Sequence, residues 1–434
     1  MADIVYRPVQ LAEGTLDFPA IGDLLYWLML RNVSGNGVVY VDPFDPAVTS
    51  SPGCIVASPS YPHDGVATTT QNYVYNWTRD SAMAAVAIAR YGTRAGDPRV
   101  AERLADYVDF ANCCQGSPAS DVSHAAYTLN GNKWDQRDDQ NDGPALQTLA
   151  IRQAFDLLPA SKQAVAQAVM QANLDFLIGH AEDASHNLWE ERVGQSFFTR
   201  SVQLRCLTEI RNDPRGLTFD QVAIDSAIAY LDHALEVEHW NADSGYLTSV
   251  LSDKPWDGYD PNVDIVMASV YGAANCTNPQ LLATAALVRD QCTQFAINQE
   301  DVGPLFGRYP NDTYDGDNGD PYDGTPPGHP WALCSANFAE FYFKVARALE
   351  LDETPLKEAL AHRFFEQVKI APEDPVAGAA AKLRAEGQAI LSSIVRHSAH
   401  LSLSEQFDSD TGYEKSVHDL TWSYAAFISA VEAM

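Results

Sequence analysis

The chain has 434 residues, 46% of them apolar, with 58 acidic against 28 basic side chains and a formal charge of −30. The apolar fraction is that of a folded globular protein and not of a disordered one. The charge repels nucleic acid and anionic lipid but leaves a neutral substrate unopposed.

In chain order, apolar periodicity predicts helices over 17–32, 79–92, 97–114, 142–158, 160–181, 196–212, 218–238, 262–275, 279–298, 331–350, 354–370, 376–398 and 419–433, with few strands. Two kinds alternate. Ala82 to Ala89 is apolar all round, as in a helix packed on every side, whereas Val100 to Val108 is apolar on one face only. That alternation suggests an inner ring of helices wrapped by an outer ring. No fixed repeat period supports a superhelical stack instead. Asp142-Gly143-Pro144 reads as a cap followed by a proline at a helix start. The irregular stretches 43–66 and 309–330 are long enough to suggest a functional role. No composition break marks a second domain, so 1–434 is expected to be a single domain with no appended binding module. No apolar run is long enough to span a bilayer.

Five polar-aromatic segments stand beside predicted buried helices: 73–80, 134–142, 189–191, 308–331 and 404–422. Singly, each has a bland explanation, since Arg79-Asp80 could be a surface ion pair and Glu190-Glu191 solvated charge at a helix start. Together, at corresponding mouths of alternating helices, they predict one pocket. Tryptophan faces stack on sugar rings while Asp and Arg grip hydroxyls. Two carboxylates on separate loops, Glu190 and Glu405, are what acid–base cleavage of a glycosidic bond requires.

Other chemistry is poorly supported. His397 and His400 form the only close helical histidine pair and have no metal-binding context. Asp315-Gly316-Asp317-Asn318-Gly319-Asp320 resembles a calcium loop but breaks the EF-hand register and lacks the closing glutamate. A solvated acidic loop is expected there, with calcium at 315–320 as the alternative, and no cofactor is expected elsewhere. Seven cysteines cannot all pair within the chain; buried free thiols are expected, with a Cys276–Cys292 bridge left open.

In order from Cys54 to Tyr424, the chain resembles the glucoamylases, glycoside hydrolase family 15. The resemblance is carried by Ile55-Val56-Ala57-Ser58-Pro59-Ser60, Trp77-Thr78-Arg79-Asp80-Ser81, Asp142-Gly143-Pro144-Ala145-Leu146, Leu188-Trp189-Glu190-Glu191, Gly307-Arg308-Tyr309-Pro310 and Asp419-Leu420-Thr421-Trp422-Ser423-Tyr424. It implies an all-α (α/α)6 barrel, six inner helices wrapped by six outer ones. It further implies an inverting exo-hydrolase releasing β-glucose from the non-reducing ends of α-glucan oligosaccharides and polysaccharides. Residue by residue, it makes Glu190 the general acid and Glu405 the general base, with Tyr73 beside the catalytic water. Arg79, Asp80 and Arg308 would hold the terminal glucose, and Glu191 the next sugar. Trp77, Tyr314, Trp331 and Trp422 would be pocket aromatics, with Trp134 and Trp189 as further substrate-binding candidates.

Three departures stand out. Asn187 replaces the family's common aspartate, Trp134 sits two residues farther from Asp142 than expected, and 315–329 is an insertion beside Trp331. The alternatives are a relative acting on α-1,6-linked dextran or on trehalose, and a non-catalytic carbohydrate sensor. A monomer is expected, with no nucleic-acid or membrane partner. Met1-Ala2-Asp3-Ile4 does not begin a secretory leader, so a cytoplasmic protein is open, while the resemblance favours a secreted one whose leader is removed.

Overall fold

The computed structural model describes residues 16–61, 71–116, 121–299 and 303–434. In these residues the chain forms thirteen α-helices: α1 (Phe18–Met29), α2 (Thr78–Arg94), α3 (Val100–Gln115), α4 (Gly143–Ala154), α5 (Ala160–Gly179), α6 (Phe197–Asn212), α7 (Gln221–Val237), α8 (Asp264–Tyr271), α9 (Pro279–Cys292), α10 (Ala332–Leu349), α11 (His362–Glu366), α12 (Val376–His397) and α13 (Thr421–Ala433).

Helices α2, α4, α6, α8, α10 and α13 each pack on the next, and α13 closes on α2, so they form a ring. Outer helices lie against them: α1 on α13, α3 on α2, α5 on α4, α7 on α6, α9 on α8 and α12 on α10. This is an (α/α)6 barrel, and burial follows the composition that predicted it. Residues 78–85 of α2 are all buried, and α10 buries nearly every side chain from Ala332 to Ala346, including Phe338, Phe341 and Tyr342. Outer α3 instead buries one stripe, Leu104, Tyr107, Val108 and Ala111, and exposes Ala101 and Glu102.

Local signals set most boundaries. The side chains of Asp220 and Asn278 accept the first backbone N–H groups of α7 and α9. Two expectations need correction. The segment 354–370 is not one helix. It breaks into short 3₁₀ turns, Thr354–Lys357 and Ala359–Ala361, before α11, because Glu358 between them is extended. Inner helix α8 stops at Tyr271, short of 275. Gly272 turns extended there against Ser201 and the Ala268 carbonyl, a space any side chain would overfill.

Small antiparallel ladders fix the loops at the N-terminal ends of the inner helices. Asn76–Trp77 pairs with Ala126–Tyr127, Ser185–His186 with Val193–Ser196, and Gln406–Phe407 with Glu414–Lys415. All seven cysteines are free, so Cys276 and Cys292 are not bridged. Among the described residues no helix is long and apolar enough to cross a membrane.

Candidate active site

A cavity of about 350 Å³ opens where the inner helices begin, lined by Tyr73, Trp77, Arg79, Asp80, Trp189, Glu190, Arg308, Tyr314, Trp331, Glu405 and Trp422 among others. Eleven of the residues singled out in the sequence thus line one cavity. Two do not. Trp134 lies behind Trp77, ring centroids 5.5 Å apart, and meets Tyr75 edge-on at 4.7 Å, packed against a small core. Glu191 is turned away from the cavity. Its Oε1 pairs with Arg308 at 2.8 Å, and its Oε2 accepts the Tyr309 hydroxyl at 2.7 Å. Burial pushes the Glu191 carboxyl up against the pull of Arg308.

Backbone conformation separates these neighbours. Glu190 adopts φ +62°, a left-handed value that non-glycine residues seldom take. It sits in the turn between Ser185–His186 and Val193–Ser196. That turn is built around Asn187, whose Oδ1 accepts the N–H groups of Glu191 and Arg192 at 3.1 Å each, while its Nδ2 donates to the Tyr259 hydroxyl at 2.6 Å. An aspartate could accept the same two N–H groups but could not make the donation, so asparagine supports the loop without adding charge.

The two central carboxylates occupy different surroundings. Glu190 is partly open, with 23% of its side chain exposed. Its Oε1 accepts the Trp77 indole N–H at 2.8 Å and an Arg79 N–H at 3.2 Å, and Arg137 Nε lies 3.1 Å from its Oε2. Glu405 is only 2% exposed. Its Oε1 accepts the Tyr73 hydroxyl at 3.0 Å, and its Oε2 accepts the hydroxyls of Tyr314, at 3.0 Å, and Ser416. Burial pushes the Glu405 carboxyl up, opposed by those three donors.

A third cluster surrounds Arg79. Its NH1 donates to Gln140 Oε1 at 2.6 Å, and Asp80 and Asp142 approach at 3.5 and 3.8 Å. Burial pushes Asp80 up to about 6 despite Arg79. Asp80 Oδ2 and the Trp331 indole N–H are buried without hydrogen-bond partners and belong to cavity-lining residues. An acceptor and a donor left open among the lining residues suit a ligand that carries hydroxyl groups. Asp142 is not the cap its position suggests. Its side chain caps nothing and faces Arg79. Arg308 is rigidly held, bidentate to Asp312 at 2.7 and 2.8 Å and 4.9 Å from the ring centroids of both Tyr314 and Trp331.

Residues 46–432 match the family model of glycosyl hydrolases family 15. The chain belongs to that family. It is 27% identical to a probable glucoamylase of Schizosaccharomyces pombe over 93% of this chain and 88% of that protein. It is 26% identical to an intracellular sporulation-specific glucoamylase of Saccharomyces cerevisiae, over 88% and 78% of the two chains. In structure it resembles the glucoamylase of Saccharomycopsis fibuligera, with a TM-score of 0.78 at 20% identity over 96% and 94% of the chains. A glucoamylase of Hypocrea jecorina gives 0.77 at 22% identity over 95% and 71%.

This family 15 protein also brings to its cavity residues that the sequence did not single out. Arg137, stacked 4.9 Å from the Trp134 ring centroid, and Gln140 come from the segment 134–142, which was recognised as a whole but not residue by residue. Tyr322 reaches the wall from the 315–329 insertion, edge-on to Tyr314 at 5.6 Å, and nothing in its local sequence marks it. Two acids of that insertion are engaged within the fold. Asp315 pairs with Lys415 at 2.9 Å and His329 at 3.2 Å, and Asp317 accepts the Ser416 N–H. Among the described residues no group of three or more His, Cys, Asp or Glu could hold a metal ion.

Proposed function

We propose that this family 15 protein is an inverting, exo-acting glucan 1,4-α-glucosidase, a glucoamylase releasing β-D-glucose from the non-reducing ends of starch, dextrins and maltooligosaccharides. The observation that carries this reading is that Glu190 and Glu405 line the same cavity yet make no direct contact, each held by its own set of donors. In one displacement, protonated Glu190 gives its proton to the leaving glycosidic oxygen as that bond breaks. Ionised Glu405 takes a proton from a water whose oxygen bonds to the anomeric carbon from the opposite face. Such a water requires carboxyl groups about 6.5–9.5 Å apart. The three hydroxyls on Glu405 favour its ionised form, as a base needs, and the Tyr73 hydroxyl, bonded to Glu405, would orient the water.

Asp80 and Arg79 would grip hydroxyls of the terminal glucose, with Trp331 and Trp422 as its apolar walls. The site is complete within one chain, so a monomer suffices, and we read the whole barrel as one catalytic unit. Hydrolysis of maltose and maltotriose, with isomaltose, trehalose and dextran as comparisons, tests the substrate. Proton NMR of the first product tests the stereochemistry. Preference for trehalose or dextran, or initial α-glucose, would overturn the assignment.

A further inference from the structure

The cavity grades from a closed floor to an open rim. Asp80 and Trp422 are buried in the first turns of α2 and α13, Glu190 is partly open, and Tyr322 is 48% exposed. A sugar chain gripped at its terminal glucose on the floor leads out toward the rim that Tyr322 helps to form. This tyrosine is held in place. Its N–H donates to Asp320 Oδ1 at 3.0 Å. The Asp315 N–H donates to the Pro321 carbonyl at 2.7 Å, and the Gly324 N–H to the Thr313 carbonyl at 2.9 Å, so the chain is tied down on both sides of it. The Tyr322 ring stands edge-on to Tyr314, centroids 5.6 Å apart, and the Tyr314 hydroxyl donates to Glu405.

Glu191 is the residue to which resemblance assigns the sugar next to the terminal glucose. Its side chain is only 3% exposed and does not line the cavity. Arg308 and Tyr309 already engage its two oxygens. Tyr322 does line the cavity, and its hydroxyl faces Glu191: burial, and then the negative charge of Glu191, push the Tyr322 phenol up. A sugar in the cavity thus meets the tyrosine instead of the carboxylate. With the phenol oxygen drawn to Glu191, the ring is the part left open, and the C–H face of a sugar stacks on such a surface.

We propose that Tyr322, and not Glu191, is the contact for the first sugar beyond the cleaved bond. Its ring stacks on the leaving glucose and so sets the preference for glucose as leaving group. This rests on the reading of the cavity as a glucan site.

Steady-state kinetics of Tyr322→Ala on maltose and on α-D-glucosyl fluoride test it. The fluoride carries the terminal glucose but no second sugar, and its hydrolysis still requires the cavity floor and Glu405. In Tyr322→Ala, kcat/KM on maltose should fall about tenfold, and at least about fivefold more than on the fluoride. Tyr322→Phe keeps the ring and should recover most of that loss. A tyrosine that only props Tyr314 and Glu405 would instead lower both substrates alike. Equal losses on the two substrates, no loss on maltose, or a Tyr322→Phe as impaired as Tyr322→Ala would each overturn the proposal. The wild-type rate on maltose separates this from the glucoamylase reading. Without that rate both fall, whereas a normal rate that Tyr322→Ala retains removes the tyrosine's role alone.

Discussion

Trp77 donates its indole N–H to Oε1 of Glu190 at 2.8 Å, across 113 residues of sequence. The same ring packs against Tyr73, centroids 5.3 Å apart, and the Tyr73 hydroxyl donates to Glu405 at 3.0 Å. One short strand and the residues before it thus orient both carboxylates. Trp77→Phe keeps most of the packing and removes the donor to Glu190. Turnover on maltotriose should fall about tenfold or more, the loss expected for a hydrogen bond to a charged group, with melting temperature little changed.

The assignment of roles is tested by Glu190→Gln and Glu405→Gln. Each should lower turnover by about 10²–10⁴-fold while retaining sugar binding measured by calorimetry. Near-wild-type rates in either variant would remove that residue from the mechanism.

Tyr314→Phe bears on the acid limb of the pH–rate profile. Burial raises the Glu405 carboxyl and the Tyr314 hydroxyl, at 3.0 Å, opposes that shift. Without the hydroxyl, Glu405 should accept its proton at higher pH, so the acid limb of kcat should move upward. A limb that moves down or stays would contradict the hydrogen bond's role.

Arg308 is the main structural charge of the wall. It sits buried between Glu191 and Asp312, so Arg308→Leu leaves two carboxylates without a counter-charge. Breaking a buried pair on one side typically costs about 3–5 kcal/mol, which should appear as a clear drop in Tm. Paired with a second change, Glu191→Gln, the variant should recover part of that loss, because one of the stranded charges is gone.

Asp260 and Asp264, beside the N-terminus of α8, are both pushed up to about 7, chiefly by burial. An acid whose folded value exceeds its unfolded value binds its proton more tightly in the native state. The stability it contributes is therefore present below about 4 and is lost as pH rises through about 7. Asp264→Asn should flatten the decline in Tm between these limits, and thermal melts across that range would show a steeper decline if the sign were wrong.

Much of this was written locally. Apolar periodicity placed inner and outer helices nearly to their ends, because burial on every side and burial on one face leave different patterns over a few turns. The lapse at 354–370 is a single extended residue, Glu358, that periodicity does not register. For the site, the paired carboxylates and aromatics could be read as a set because residues of such chemistry gathered at matching helix starts.

What the chain's order of residues determined by itself was the helical alternation and the family's recurring segments, since both rest on short-range patterns. Only the tertiary structure decided which members of those segments face the cavity. Glu190 and Glu191 are adjacent, yet a left-handed backbone at Glu190 sends one toward the cavity and the other to Arg308. Trp134 backs Trp77 instead of joining the wall, and Asp142 faces Arg79 instead of capping its helix. Such directions depend on contacts between residues far apart in the chain, which no local pattern encodes.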